Sequence, residues 1–286
     1  MTYATFERAG RTAAQDPGRQ SALAGFSRKA LGAAATFWFA LAVSGQMVFA
    51  AYILSLYAGS AVQGDLGAWK KVLPTVPVAG DTLGNIAIVV HVLIAAIVTL
   101  GGPLQLIPKI RASFPTFHRW NGRIYFATVI VAALTGLYVI WSRNAAGSFV
   151  QQLAISINAL LILLAAVLAL RHVLARRIAE HRRWAMRLFL LVSGSWFFRV
   201  MLMFWIAVNG GPVGFNPETF RGPALDAIAF LQYLVPLAVL QLYFMAKEGS
   251  STAGRIATSG AIVVLTVAMG VGIVVASMGM WLPHMR

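Results

Sequence analysis

Seven apolar runs of about 20 residues constrain the fold of this chain more than any other feature. A run of that length crosses the roughly 30 Å of hydrocarbon in a bilayer as one α-helix, because each residue adds about 1.5 Å. Of the 286 residues, 59% are hydrophobic and 11% are charged, a composition outside the usual range of soluble domains. We therefore expect an all-α, polytopic transmembrane bundle in a lipid bilayer, with spans near residues 31–57, 85–107, 120–141, 150–170, 184–208, 226–246 and 257–281.

The apolar runs follow a polar N-terminal segment. Residues 1–30 carry five basic side chains and lack the early apolar core and cleavage site of a signal peptide. We expect them to form a cytoplasmic tail and the first span to act as an uncleaved signal. Residues 31–286 are then expected to form a single transmembrane domain.

Basic residues are distributed unevenly between the two sides of the predicted bundle. Seventeen lie in the N-terminal tail and in the connections after the second, fourth and sixth spans, whereas five lie in the other connections and at the C-terminus. Cytoplasmic loops hold the excess of Lys and Arg, so we expect the N-terminus inside and the C-terminus outside a bacterial cytoplasmic membrane. The net charge of +15 is thus explained by topology and does not indicate binding of nucleic acid.

Several kinds of chemistry are excluded by the sequence. The chain has no cysteine, which rules out disulfides, thiol nucleophiles and thiolate metal sites. It also has no phosphate-binding glycine loop, HExxH motif or serine elbow. Its eight acidic residues lie in tails, loops or span ends, which argues against a transporter driven by an intramembrane carboxylate.

Two similar segments open the third and fifth spans, HRWNGRIY at residues 118–125 and HRRWAMRLF at residues 181–189. A duplication, or two helices with the same Trp and Arg anchors at one interface, explains the repeat. With HVLIAAIVTLGGPLQLIPKIRASFPTF before them, these segments resemble a bacterial family of predicted membrane proteins known only as a domain of unknown function of type 2306. That resemblance implies a multi-pass bundle, with no established activity. It covers about residues 85–205 and rests on His91, Gly102, Gln105, His118, Arg119, Gly122, Arg123, Tyr125, His181, Arg182, Trp184, Met186, Arg187 and Arg199.

The two repeated histidines suggest a haem site. His118 and His181 enter the bundle from the same side and could supply both axial nitrogens of one b-type haem iron, with arginines pairing with its propionates. This placement resembles the cytochrome b561 architecture and implies electron transfer to a quinone or another electron-transfer partner. The alternative is that both histidines are interfacial anchors. The candidate propionate partners are Arg119, Arg123, Arg182 and Arg187.

Polar side chains within the spans suggest a second site in the outer half of the bundle. Such groups are costly in hydrocarbon and usually face the bundle interior or a wet cavity. No acidic residue lies within a span to pair with Arg199, so its guanidinium needs carbonyls, amides, water or an anionic ligand. In a continuous fifth helix, His181 and Arg199 would share one face about 27 Å apart. The predicted pocket comprises His91, Arg199, Asn158, Gln46 and Gln105.

The sequence leaves three functions open. The first is membrane electron transfer through a b-type haem near the cytoplasmic face. The second is binding or transport of a small anionic or lipid-like molecule in the outer-half pocket around Arg199 and His91. The third is a structural or assembly role without a small-molecule ligand.

Overall fold

The chain is built from helices throughout the part that the structure describes. This computed structural model describes residues 17–62, 69, 78, 80–143, 146–249 and 251–285. Within these ranges the only β-type pairing is an isolated bridge between Asn216 and Arg221, so the predicted all-α fold is confirmed. In chain order the helices are α1 (Pro17–Ile53), α2 (Thr82–Leu106), α3 (Pro108–Ser113), α4 (Pro115–Ser142), α5 (Phe149–Leu174), α6 (Ile178–Val192), α7 (Gly194–Asn209), α8 (Pro223–Glu248) and α9 (Thr252–Ala276).

The predicted number of spans is also confirmed. In the described chain, six helices are long and apolar enough to cross a membrane, namely α1, α2, α4, α5, α8 and α9. Helices α6 and α7 together make a seventh candidate span. Large apolar side chains such as Leu160, Leu164 and Val264 are exposed on the outside of the bundle, where lipid is the solvent that such a surface requires.

The fifth span is broken in the middle, which the sequence analysis did not anticipate. Helix α6 ends at Val192 and α7 begins at Gly194, with an angle of 53° between them. The Ser193 hydroxyl donates to the Phe189 carbonyl over 2.8 Å, and Gly and Ser at a bend are a common cause of sharp kinks. The expectation that His181 and Arg199 share one face of a continuous helix is therefore wrong.

The ends of α1 and α9 depart from α-helical geometry. A π-helical turn at Leu54–Gly59 follows α1, and another at Ser277–Trp281 follows α9. The two helices pack along each other, and Gly272 of α9 also lies against α7, where a Cβ atom would overlap the Val200 carbonyl. Wide turns of this kind occur often at functional sites. Here they bring aromatic residues of both helix ends into one cluster.

An ion pair joins α2 to α4 at the end of the bundle predicted to face outside. Asp81 caps α2 by accepting the Gly84 N–H over 2.9 Å, and Arg143 donates to the same carboxylate over 2.6 and 2.9 Å. The Gly84 N–H and the Arg143 guanidinium hold the pKa of Asp81 below its ordinary value. Arg143 also donates to the Asn85 side chain over 2.9 Å. This clasp fixes the helix pair that carries His91 and His118.

Candidate functional site

A cavity of about 1050 Å³ lies between the helices, and every helix from α1 to α9 contributes to its lining. Its volume is at the upper end of the roughly 300–1,000 Å³ typical of small-molecule pockets. Most of the wall is apolar and aromatic, including Trp38, Phe197, Phe204 and Met269. A wall of this kind favours an apolar ligand or the tail of an amphipathic one.

One end of this cavity is polar because the chain turns sharply there. Helix α2 ends at Leu106, and the two helices that follow begin at Pro108 and Pro115, since proline is well suited to the first helical turn. The turn brings Gln105 beside the start of α4, where its side chain donates to the His118 carbonyl over 3.1 Å. The polar lining at this end consists of Gln105, Arg111, His118, His181 and Arg182, which we call the basic end.

The two histidines of the haem hypothesis do meet at the basic end. Both line the cavity and are close enough to interact electrostatically. His181 Nδ1 lies 2.9 Å from the Ala169 carbonyl, which can only accept, so Nδ1 carries a hydrogen and, in the neutral ring, Nε2 has the lone pair. His118 Nδ1 is buried and has no hydrogen-bond partner within the described ranges. His118 thus has an unpartnered ring nitrogen, and both histidines belong to the cavity lining.

The arginines predicted to pair with haem propionates do not all reach the cavity. Arg182 is part of its lining. Arg123 instead lies over the Trp120 ring at 4.9 Å, and Arg187 lies over the Trp184 ring at 4.8 Å. Arg119 donates to the Thr116 hydroxyl over 3.4 Å. These three side chains have the contacts expected of interfacial anchors.

Arg111 lines the basic end although the sequence analysis did not include it. It lies in the short helix α3, between two spans, and nothing in its local pattern distinguishes it from a loop arginine. The proline at each end of α3 was the available signal, because it indicates a tight reversal that returns the chain to the bundle.

The predicted outer-half pocket is not assembled as one cavity lining. Of its five members only Gln105 lines the large cavity. His91 Nδ1 lies 3.1 Å from the Thr135 hydroxyl of α4. Because that hydroxyl already donates to the Val131 carbonyl over 2.7 Å, His91 must be the donor. His91 therefore helps join α2 to α4.

Three buried amide side chains surround the break between α6 and α7. Gln46 donates to the Ser193 hydroxyl over 3.0 Å, and Asn158 donates to the Leu191 carbonyl over 3.2 Å. Gln232 comes within 3.5 Å of the position that a Cβ atom of Gly194 would occupy. The Leu191 carbonyl can only accept, and the Ser193 hydroxyl already donates to Phe189, so the amide NH2 group is the donor in both bonds. The side-chain oxygens of Gln46 and Asn158 are left without a partner in the part of the chain that the structure describes.

Arg199 lies one turn beyond this break and is half-buried. Its Nη1 donates to the Ser195 carbonyl over 2.8 Å, and its guanidinium carbon lies 5.4 Å from the centre of the Phe49 ring. It also interacts electrostatically with His91. A carbonyl and an aromatic face thus partly satisfy this cation, as expected for an arginine without an acidic partner in its span.

The family model for a predicted membrane protein of type DUF2306 matches residues 88–244. The chain belongs to the DUF2306 family. The DUF2306 match runs from α2 into α8, past residue 205, and so includes the region after Arg199 that the sequence resemblance had left out. No curated protein and no solved structure matches the chain.

The residues that carry the DUF2306 resemblance are concentrated on the cavity. Eight of these fourteen residues belong to the cavity lining, and the other six do not. No group of three or more potential metal-ligating side chains occurs among the described residues, although two histidines suffice for a haem. The eight lining residues are Gly102, Gln105, His118, Gly122, Tyr125, His181, Arg182 and Met186.

Proposed function

We propose that this membrane protein binds an amphipathic molecule with an acidic head group in its intramembrane cavity. The observation that carries the proposal is the division of one cavity into a long apolar wall and a basic end. The head group lies against His118, His181, Arg111 and Arg182, and the apolar body extends towards Phe197 and Met269. Such a ligand satisfies both parts of the wall at once.

Charge supports an acidic head group. The basic end presents two guanidinium groups and two imidazoles, and the described lining contains no aspartate or glutamate. Charge-assisted hydrogen bonds from Arg to a carboxylate or phosphate are about twice as strong as neutral ones. Basic residues at this end therefore favour an anionic head over a neutral or cationic one.

A fluorescent long-chain fatty acid, anthroyloxy-stearate, tests this function directly. Its fluorescence should rise when the purified protein takes it up from detergent solution. Ala185→Phe places a large side chain in the cavity lining and should reduce the affinity at least about ten-fold, since the apolar volume is lost. Ala179→Phe is the matched control, because Ala179 lies on the same helix and is exposed.

The basic end has its own variants. Arg111→Gln and Arg182→Gln should each weaken fatty-acid binding about ten-fold, while both proteins still bind the neutral methyl ester of the same probe. If wild-type protein does not bind the fatty acid, or if Ala185→Phe binds it as wild type does, the proposed function is wrong.

A b-type haem is the second candidate, because it too is an amphipathic molecule with anionic groups. The observation that favours it is the Ala169 hydrogen bond of His181, since metal-bound histidines commonly donate their other ring nitrogen to a carbonyl. His118 and His181 would be the axial ligands and Arg111 and Arg182 the partners of the propionates. Haem would supply one-electron transfer to a quinone or another membrane partner.

The visible spectrum of detergent-purified protein decides between the two candidates. A haem protein shows a Soret band that His118→Ala and His181→Ala each abolish, whereas His91→Ala leaves it intact because His91 is bonded to Thr135. A colourless protein that binds the fatty acid supports the first candidate. A colourless protein that does not bind the fatty acid supports the structural or assembly role.

We also propose that the basic end faces the cytoplasm, as the distribution of Lys and Arg indicates. Reporter fusions after residues near 112 and 178 should then be active on the inside, and fusions near 147 and 215 on the outside. The reverse pattern would place the cavity head group at the opposite surface of a bacterial cytoplasmic membrane.

A further inference from the structure

We infer that the outer half of the bundle contains a second site, which binds a carboxylate or phosphate group between Arg199 and a cluster of aromatic residues. This site is separate from the large cavity, whose lining includes none of its members. We call it the aromatic–arginine cluster. It consists of Phe49, Tyr52, Tyr57, Trp69, Arg199 and Trp281.

Ring contacts connect the members of this cluster. The Phe49 ring, which lies beneath the Arg199 guanidinium, also contacts Trp281 at 5.3 Å and Tyr52 at 6.0 Å between ring centres. Tyr52 in turn contacts Tyr57 at 6.2 Å, and Tyr57 contacts Trp69 at 5.1 Å. The π-helical turns after α1 and α9 supply Tyr57 and Trp281.

The polar atoms of this cluster are mostly donors. Trp69 and Trp281 are 1% and 0% exposed, and neither indole N–H has a hydrogen-bond partner in the described chain. Indole nitrogen can donate and cannot accept. A buried donor without a partner destabilises the folded protein, so an acceptor at these atoms would stabilise it.

Arg199 adds positive charge to these donors. The guanidinium has five N–H bonds, and within the described part of the protein it forms one hydrogen bond, from Nη1 to the Ser195 carbonyl. No carboxylate of that part lies within 4.0 Å of the guanidinium. Its charge also acts on the hydroxyl groups of Tyr52 and Tyr57. A cation beside an aromatic cluster that holds two unpartnered indole donors is complementary to an anion.

We expect the ligand group to be an oxyanion, because its oxygen atoms can accept from a guanidinium and from an indole N–H at the same time. A carboxylate or phosphate offers several lone pairs in one plane or tetrahedron, and arginine recognises both groups through paired N–H bonds. Such a group could come from a free anion in the outer medium or from the head group of an anionic lipid. The two sources share this chemistry and are separated by experiment.

Thermal unfolding measures binding of the free anion. Purified protein in detergent is heated at constant ionic strength in sodium acetate, sodium phosphate or the bulky sulfonate MES. The melting temperature should rise by a few degrees in acetate or phosphate relative to MES. Arg199→Met should abolish this rise, and Trp281→Phe should weaken the apparent affinity about ten-fold, because it removes one N–H bond to a charged group and keeps the aromatic ring.

Nanodiscs of defined lipid composition test whether the anion is a lipid head group. Protein in phosphatidylcholine nanodiscs is compared with protein in discs that also contain phosphatidylglycerol. An Arg199-dependent rise only with phosphatidylglycerol identifies a lipid head group, and a rise in acetate or phosphate identifies a free anion. If wild-type protein shows neither rise, or if Arg199→Met responds as wild type does, no anion site exists at this cluster.

Three controls complete the test. Trp141→Phe should respond as wild type does, because the Trp141 N–H already donates to the Ser156 hydroxyl over 3.0 Å. Asp65 lies outside the described residues and should not be needed for the rise in melting temperature with acetate or phosphate. A rise that appears only in Asp65→Asn would overturn the proposal. Fatty-acid uptake by the large cavity should survive Arg199→Met. If Arg199→Met does not fold, the Trp281→Phe titration decides the outcome.

Discussion

Two arginines in the half of the bundle predicted to face outside have opposite environments. Arg143 is held by the Asp81 carboxylate and by Asn85, and its side chain is 5% exposed. Arg199 has a backbone carbonyl of its own helix and the face of Phe49. Arg143 follows the last residue of α4, beside the start of α2. Arg199 lies in α7, just past the break between α6 and α7.

The comparison shows that the partner of a charged side chain indicates its role better than its depth does. A guanidinium with a carboxylate and an amide acceptor fixes two helices, and its loss leaves those acceptors unpaired. A guanidinium without a described carboxylate partner contributes little to folding and is suited to bind an anion.

Arg143→Met should lower the melting temperature in detergent by roughly 5 °C, because the Asp81 carboxylate and the Asn85 side chain lose a donor whose own side chain is 5% exposed. Arg183→Met is the matched control. Its partner Glu248 lies 3.2 Å away at the exposed surface, and exposed pairs contribute at most about 1 kcal/mol. Equal effects of the two variants would mean that the Arg143 clasp does not hold α2 to α4.

Gly194→Ala tests the break that places Arg199. A Cβ atom there would lie 2.9 Å from Asn158 Nδ2, so the Asn158 amide would have to move and lose its bond to Leu191. We expect a cost of about 2 kcal/mol, typical of overpacking. Gly260→Ala has open space around the new methyl group and should be neutral or slightly stabilising. Denaturation of both variants in detergent measures the difference.

Acid should weaken the Arg143 clasp. The pKa of Asp81 is lowered in the folded protein, mainly by the Gly84 N–H and then by Arg143. The stability that Asp81 contributes is therefore complete above its ordinary pKa of about 3.9 and is lost as the pH falls through the lower folded value. Melting temperatures of wild type and Asp81→Asn should differ by a constant amount from pH 7 to about pH 4 and converge below it. Parallel curves throughout would contradict this assignment.

Arg199→Met should have the smallest effect on stability, a change in melting temperature below about 2 °C in the absence of acetate or phosphate. The substitution removes one hydrogen bond and one aromatic contact, and it also removes a charge that is costly to hold in hydrocarbon. A fall as large as that of Arg143→Met would mean that Arg199 fixes the packing of α7 and is not available to a ligand.

Most of the fold could be predicted from the sequence, because each span needs about 20 apolar residues to cross the hydrocarbon. The predicted second span, 85–107, corresponds to Thr82–Leu106, and the predicted fourth, 150–170, to Phe149–Leu174. The break at Ser193 was missed because apolar residues continue on both sides of it. The run Ser193, Gly194, Ser195 was a usable signal, since Gly and Ser together often mark kinks.

The candidate sites could be predicted only in part. His118 and His181 meet as expected because each opens a span from the same side. Arg111 and the aromatic partners of Arg199 were not predicted, because contacts between distant segments leave no periodic pattern in the sequence. Trp69 and Trp281 are separated by most of the chain, and both belong to one buried cluster.

A cryo-electron microscopy map of the protein purified in nanodiscs with anthroyloxy-stearate would show directly whether the large cavity binds this ligand. We expect elongated density in the cavity, with its head between His118, His181, Arg111 and Arg182 and its body along Phe197 and Met269. Saturation with the probe should leave the Ala185→Phe map without that density. A wild-type map in which side chains close the cavity, or in which the probe lies only on the lipid-facing surface, would contradict the proposed function.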